Sequence, residues 1–307
     1  MSTTVRAVIA ALERAYPPEL AEVWDTGIGL TCGDPDEQVE RVLLAVDVDA
    51  AVVAEAIEIG AQLLVTHHPL LFRPVQSVQA GTAKGRLIHQ LIRAGIAHFA
   101  AHTNADKAVG GVNDALASAL GLARVQPLAP DVDVLPAGHP QAGLTGLGRI
   151  GDLASVMSLR DFADLVASAL PATAGGVRVA GDPDRQVRVV AVCGGAGDSE
   201  LGTANDAGAD VYLTSDLRHH VVAEHLALPG SAAVVEVAHF AGEWPWLADA
   251  ARVITAGVAG GGTAGTVSTT VSALRTDPWT IHRPSSRPRS GVDGTQLQKG
   301  SNTCAEG

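Results

Sequence analysis

Cysteine is scarce in this chain: Cys32, Cys193 and Cys304 are the three thiols in 307 residues. They are too few and too scattered for a disulfide framework or a cysteine-based zinc site. Aromatic residues make up 3% against 47% hydrophobic residues, so the core must be built from Ala, Val and Leu rather than rings. Positive charge is also short, with 21 Lys and Arg against 33 Asp and Glu and a net charge of −12. Phosphate binding needs a basic surface, which argues against nucleic acid or anionic membrane as the main partner. The same balance suits the attraction of metal cations. No apolar run approaches the ~20 residues that span a bilayer. Residues 1–12 mix polar and apolar side chains around Arg6, unlike a signal peptide. The expectation is a soluble, cytoplasmic protein with one large domain or two ordinary ones.

What the chain does have is a stretch reading Leu63-Leu64-Val65-Thr66-His67-His68-Pro69-Leu70-Leu71-Phe72. An apolar run of strand length ends in two adjacent histidines, and the proline stops it from continuing as a central strand. The end of a buried strand, where a rigid element meets a cleft, is the usual address of a site in an α/β protein. Side chains that alternate across an extended backbone are poorly placed to chelate one ion together, but they can serve two neighbouring ions. A single histidine would more often be a satisfied core or surface residue; a pair calls for a search further along the chain.

Ser2 or Thr3 is expected to cap a first helix carrying Val5, Val8, Ile9 and Leu12, ended by Pro17-Pro18. Residues 41–48 read as a buried strand, 50–59 as a helix ended by Gly60, and the histidine strand follows, which makes a parallel βαβ unit. A helix over residues 84–94 closes at Gly95. The strand at 96–101 again delivers polar groups, His102-Thr103-Asn104-Ala105-Asp106. Asn113-Asp114 is expected to cap a helix at 115–120. Prolines and aspartates between Val125 and His139 mark a linker, dividing an amino-terminal α/β lobe (1–125) from a carboxy-terminal one (126–282). In the second lobe strands are expected at 143–150, 187–192, 210–213 and 232–237, alternating with helices. The tail at 283–307 turns to Ser, Gly, Pro, Gln and Arg and is expected to be disordered.

Three strand ends therefore carry metal-competent groups: His67 and His68, then Asp106, then His239 with Glu243, which share a helix face at a spacing of four. Imidazole nitrogen with carboxylate oxygen suits Zn²⁺, Fe²⁺, Mn²⁺ or Ni²⁺. Five ligands exceed what one tetrahedral zinc takes and fit two ions about 3.5–4 Å apart with a bridging carboxylate. His102 falls four residues before Asp106 and reads as a proton carrier or a donor to a ligand, or equally as a structural backbone contact. His219 and His220 face either the cleft or solvent. Gly194, Gly195 and Gly197, ahead of a helix, either cradle a phosphate or serve packing. His89, His98, His139, His225 and His282 read as structural.

THHPLLF (66–72), AHTNAD (101–106) followed by GGVND (110–114), CGGAGD (193–198), YLTSDLRHH (212–220) and HFAGE (239–243) occur in the order found in the NIF-three-like dinuclear metal-centre family, often called GTP cyclohydrolase I type 2-like. WDTGIGL (24–30) resembles its opening motif, and the likeness runs from about residue 17 to 275. Thr26 departs from the asparagine more usual there. The resemblance implies two divalent ions held by His67, His68, Asp106, His239 and Glu243. It also implies a homohexameric toroid with the metal sites facing its inner cavity, in a short form without an extra inserted domain. The fold expected is α/β, two interlinked lobes with mixed, largely parallel sheets enclosing the dinuclear site. The function expected is metal-dependent hydrolysis of a purine nucleotide or related small molecule, with His102 and Glu243 as catalytic groups. The alternative is a non-catalytic metal-binding, metal-trafficking or regulatory scaffold that uses the same ligands.

Overall fold

A computed structural model describes residues 3–260 and 266–284. Beyond Pro284 the expected tail, with Cys304, lies outside the described residues, as does Ser2. Among the described residues no helix is long and apolar enough to cross a membrane.

In chain order the elements are α1 (Val5–Ala15), β1 (Gly29–Cys32), β2 (Arg41–Ala45), α2 (Ala50–Glu58), β3 (Leu63–Thr66), α3 (Ala83–Ala94), β4 (Ala97–Ala100), α4 (Thr103–Lys107) and α5 (Val112–Ala119). Then come β5 (Ala123–Pro130), β6 (Gly146–Ser158), α6 (Leu159–Ala169), β7 (Arg178–Ala180), β8 (Gln186–Ala196), α7 (Leu201–Asp206), β9 (Val211–Ser215), α8 (His219–Leu226), β10 (Ala233–Glu236), α9 (His239–Glu243), α10 (Trp246–Gly260) and β11 (Ser268–Val271). Local chemistry explains most boundaries. The Asp49 carboxylate accepts the Val52 amide to open α2, and the Ser158 hydroxyl accepts the Asp161 amide to open α6. Gly95, at φ +67°, closes α3 in the left-handed region.

Three expectations are corrected. Thr4, not Ser2 or Thr3, caps α1, because the helix starts at Val5 and the Thr4 hydroxyl, on extended backbone, accepts the Ala7 amide. Asn113 and Asp114 lie inside α5, which starts after Gly111, and their side chains bond across the molecule instead of capping. The stretch read as a linker begins as the strand β5. Its prolines, Pro127 and Pro130, are tolerated because β5 is the outermost strand of its sheet.

Two mixed sheets form the frame. The first has the order β1-β4-β3-β2-β11, parallel except for β1 against β4. The second has the order β5-β6-β8-β9-β10-β7, parallel through β8, β9 and β10 and antiparallel elsewhere. All four residues of β3 are buried, the burial expected of a parallel strand covered on both faces. The halves interlock, since β11, late in the chain, pairs with β2 of the first sheet. One core cluster joins Val8 and Leu12 of α1, Val65 and Phe99 of the first sheet, Val112 of α5, and Trp246 and Ile254 of α10.

A buried guanidinium ties the second sheet to α4 and α5. Arg149 of β6 is 1% exposed; it holds Asp114 of α5 with two nitrogens and donates to the carbonyls of Gly146, Gly148, Lys107 and Ala108. Removing it strands both the Asp114 charge and the carbonyls that end α4. Arg149→Ala should therefore lower unfolding stability by about 3–5 kcal/mol, read as a shift of the urea midpoint. A shift under about 1 kcal/mol would show the tie to be unimportant.

Candidate metal centre

The carboxyl ends of the parallel strands of both sheets converge on one place, as expected for open α/β sheets. Asp47 follows β2, His67 and His68 follow β3, and His102 and Asp106 follow β4. From the second sheet, Asp216 follows β9, and His239 and Glu243 follow β10 on the short helix α9. The strand β3 stops at Thr66, so the alternation expected to part the two histidines no longer holds beyond it. Their rings lie 5.0 Å apart.

Each imidazole has its outer nitrogen occupied. Nδ1 of His67 donates to the Ala101 carbonyl at 2.9 Å, while that of His68 meets Asp47 at 2.7 Å. His102 Nδ1 meets Asp25 at 3.0 Å and His239 Nδ1 meets Asp216 at 2.7 Å. Such partners fix the tautomer and leave Nε2 as a lone-pair donor. The Nε2 atoms of His67, His68 and His239 lie 3.4, 3.2 and 2.9 Å from the Glu243 carboxylate, which is 2% exposed. His67 Nε2 is also 3.6 Å from Asp106 Oδ1. Nitrogens of His67, His68 and His102 form one group within 4.8 Å, and donors of His68, His239 and Glu243 form another. Three inward atoms have no hydrogen-bond partner among the described residues: His67 Nε2, Asp106 Oδ1 and Glu243 Oε2. Buried polar atoms left so are costly. A cluster of inward lone pairs with carboxylates between them is the donor set of divalent ions, and the residues fit that role.

Without a metal, the same carboxylates favour protonated imidazoles. Glu243 raises His239, against burial and with help from Asp216, to about 11. Burial works to lower His68, but Glu243 and Asp47 outweigh it and raise it to about 10. Burial opposes the Glu243 charge, yet His239, His68 and His67 hold that carboxyl well below its usual range. Burial pushes Asp106 upward, partly offset by His67 and His102.

The structure thus brings together all five sequence-predicted donors and adds His102, for which the sequence leaves a proton carrier, a donor to a ligand and a structural contact open. Its ring lies 5.2 Å from that of His67, with its Nδ1 turned outward to Asp25, so it stands among the donors. His219 and His220 are exposed at the start of α8 and meet edge to face with ring centroids 5.2 Å apart, outside the donor cluster. In the glycine-rich stretch the structure shows packing roles at Gly194 and Gly195. Gly194 gives its amide to Asn113 at 2.8 Å. A Cβ on Gly195, at φ +70°, would stand 2.6 Å from Glu243 Oε1 and 3.2 Å from His239 Nε2. Glycine there lets β8 pass against the ligands. The outer carboxylates Asp25, Asp47 and Asp216 escaped sequence reading, although WDTGIGL and YLTSDLRHH contain two of them.

A cleft of about 730 Å³ opens beside His68 and His239, within the range of small-molecule sites. Trp246, 0% exposed, backs His67 from the opposite side, with ring centroids 5.5 Å apart.

Comparison with known proteins places this arrangement. The sequence profile of Duf34/NIF3 (NGG1p interacting factor 3) matches residues 3–278. A Streptomyces coelicolor protein named "GTP cyclohydrolase 1 type 2 homolog" is 47% identical over 288 residues, covering 94% of this chain and 97% of that protein. A Mycobacterium tuberculosis protein of the same name is 35% identical, covering 94% of this chain and 100% of its own length. That alignment spans 389 residues, more than this chain contains, so the mycobacterial protein carries sequence absent here. The crystal structure of a Bacillus cereus protein related to NIF3 superposes with a TM-score of 0.83 at 29% identity, over 92% of this chain and 100% of that one.

The raised imidazoles set a pH dependence. In metal-free protein the His68 and His239 charges are stabilising, because both pKa values exceed the unfolded value of about 6.5. That contribution is complete below about 6.5 and is lost as pH rises through the folded values. Metal-free Tm should therefore fall between about pH 7 and 10, and His68→Gln should flatten the slope. Metal uptake needs neutral imidazoles, so loading at pH 7 should release about two protons. Calorimetry in buffers of different ionisation enthalpy checks this; a proton count near zero would contradict the assignment.

Proposed function

The chain belongs to the Duf34/NIF3 family, and from that premise we propose that it is a dinuclear divalent-metal protein acting as a metal-dependent hydrolase. The observation that carries this reading is the set of unpartnered buried atoms, His67 Nε2, Asp106 Oδ1 and Glu243 Oε2, among imidazoles whose outer nitrogens are all engaged. His67, His102, Asp106 and Glu243 would hold one ion, and His68, His239 and Glu243 the other, with Glu243 common to both. Each of the proposed lobes, residues 1–125 and 126–282, supplies donors. Zinc, iron, manganese and nickel all suit this nitrogen and oxygen set. Two such ions supply Lewis acidity and an activated water.

The protein's own groups prepare the site for that chemistry. Asp47, Asp25 and Asp216 orient His68, His102 and His239. Trp246 keeps water from the side behind His67. Glu243 holds negative charge between the two halves. The names of the relatives suggest a purine nucleotide such as GTP as substrate. We also assign a cytoplasmic homohexamer whose metal sites face an inner cavity. A storage or regulatory scaffold would want a closed site. The cleft against His68 and His239 supports open coordination and so favours the hydrolase.

Extensively dialysed protein should retain about two equivalents of transition metal by mass spectrometry. His67→Ala with His68→Ala should lose both, whereas His139→Ala should not. Retention of both ions in the double variant would sink the centre. Glu243→Gln should lower turnover at least about a hundredfold. No turnover above that of free metal, across several metals and a panel of nucleotides and phosphodiesters, would leave the scaffold reading in its place.

A further inference from the structure

The cleft beside His68 and His239 has a wall that the proposed metal chemistry does not use, formed by residues near the end of the described chain. Thr276 fixes this segment by donating its hydroxyl to Asp47, the carboxylate that orients His68. Two features of the wall stand out. Trp279 is 72% exposed, the most exposed of the chain's four tryptophans, and Ile281 beside it is 67% exposed. The other strongly exposed tryptophan, Trp24, has Phe72 and His102 packed edge-on against it. No ring pair among the described residues includes Trp279. Asp277 lines the same cleft, is 8% exposed, and its Oδ2 atom has no hydrogen-bond partner among the described residues.

The remaining carboxylates of the cleft are matched. Asp47 has His68 and Thr276, Asp216 has His239, and Glu236 has Arg178. Asp277 is left as the acceptor in need of donors, and an unpaired buried carboxylate oxygen is a standing cost that a bound donor removes. An exposed indole in a ligand-sized cleft offers a flat polarisable face on which a ring stacks.

We propose that Asp277 and Trp279 form a ring-binding subsite for the substrate of the metal centre: a planar nitrogen heterocycle stacks on the Trp279 indole and donates edge N–H groups to Asp277. This deepens the hydrolase reading and rests on it for the direction of the ligand. The guanidinium of the cleft, Arg178, is already neutralised by Glu236, so the oxygen-bearing end of the ligand points to His68 and His239 and the ring to Trp279. A carboxylate acceptor also discriminates sharply. A ring with adjacent N–H donors satisfies it, whereas a methylated ring leaves it unpaired.

The test uses the full-length, metal-loaded protein and two probes. Guanosine presents adjacent N–H donors on its edge, and caffeine has a bicycle of similar shape with no N–H. Titration calorimetry should show guanosine binding at least about tenfold more tightly than caffeine. Trp279→Ala should weaken both by about tenfold, and Trp279→Phe should recover most of the loss. Asp277→Asn should weaken guanosine alone. Trp279 is exposed, so its replacement tests the proposal even where Asp277→Asn folds poorly. Equal binding of the two probes, absent binding of guanosine, or affinity unchanged in Trp279→Ala would each overturn the subsite. So would dissociation of the oligomer in Trp279→Ala without loss of guanosine affinity, which would assign the indole to a subunit contact. A separate outcome distinguishes this from the hydrolase reading: guanosine bound by the unaltered, metal-loaded protein, with the Trp279 and Asp277 dependence above but no turnover of any substrate, leaves the subsite standing and overturns the hydrolase.

Discussion

The Glu243 carboxylate is 2% exposed and lies within 3.4 Å of nitrogens from three imidazoles, and the arrangement around it depends on offsetting that burial. An ion taken from water costs several kcal/mol unless opposite charge and hydrogen bonds surround it. Imidazoles supply the charge when protonated, and divalent ions supply it when the imidazoles are neutral. Either way the rings must point inward, which requires their outer nitrogens to be satisfied. Asp47, Asp216, Asp25 and the Ala101 carbonyl do that. Alternating negative, imidazole and negative groups thus extend outward from Glu243 on more than one side. The acidic balance of the chain, −12 overall, has a local purpose here.

Convergence of two sheets is what permits such a cluster. A single sheet delivers groups along one edge; two sheets with their carboxyl ends turned toward one another surround a point. The ties that hold them are polar and buried. Asn113 donates to the Asp106 carbonyl and accepts from the Gly194 amide, so one side chain links the helix bearing Asp106 to strand β8. Arg149 grips the end of that same helix from β6. The return of β11 to the first sheet closes the exchange between halves. Displacing either sheet would move at least one donor away from Glu243, so a bound metal and the interlock would reinforce each other.

The donors were legible in part because three apolar strands give way abruptly to polar residues: His67 and His68 directly follow β3, Asp106 lies in the short helix after β4, and His239 and Glu243 lie in the short helix after β10. The motif resemblance supplied the full set of five. The alternation of strands and helices was legible too, together with helix ends such as Gly95. Other features were hidden for physical reasons. His102 has the same strand-end position but is followed four residues later by a carboxylate, and sequence does not say which of the two faces inward. Asn113 looks like a cap because asparagine usually bonds locally, and here its partners are distant in sequence. The edge strand β5 was masked by prolines that a central strand would exclude. β11 pairs with a strand more than two hundred residues earlier, and nothing local announces such a partner.

The two ends of the proposed centre differ in access, and this bears on what each does. The His67 side chain is fully buried, with Asp106 and Trp246 around it, whereas the side chains of His68 and His239 are 23% and 33% exposed toward the cleft. An ion enclosed by protein donors exchanges slowly and keeps few positions for a ligand; one at an open face keeps positions that a substrate oxygen can take. Substitutions behind His67 therefore act chiefly on occupancy and stability. Those at the His68 and His239 face would act on what a metal-loaded centre binds. Gly195 stands between the two ends, where even a methyl group would press on both Glu243 and His239. On the proposed reading the buried end would anchor the ions, and the open end, facing the cleft with its exposed indole, would be where a substrate meets them.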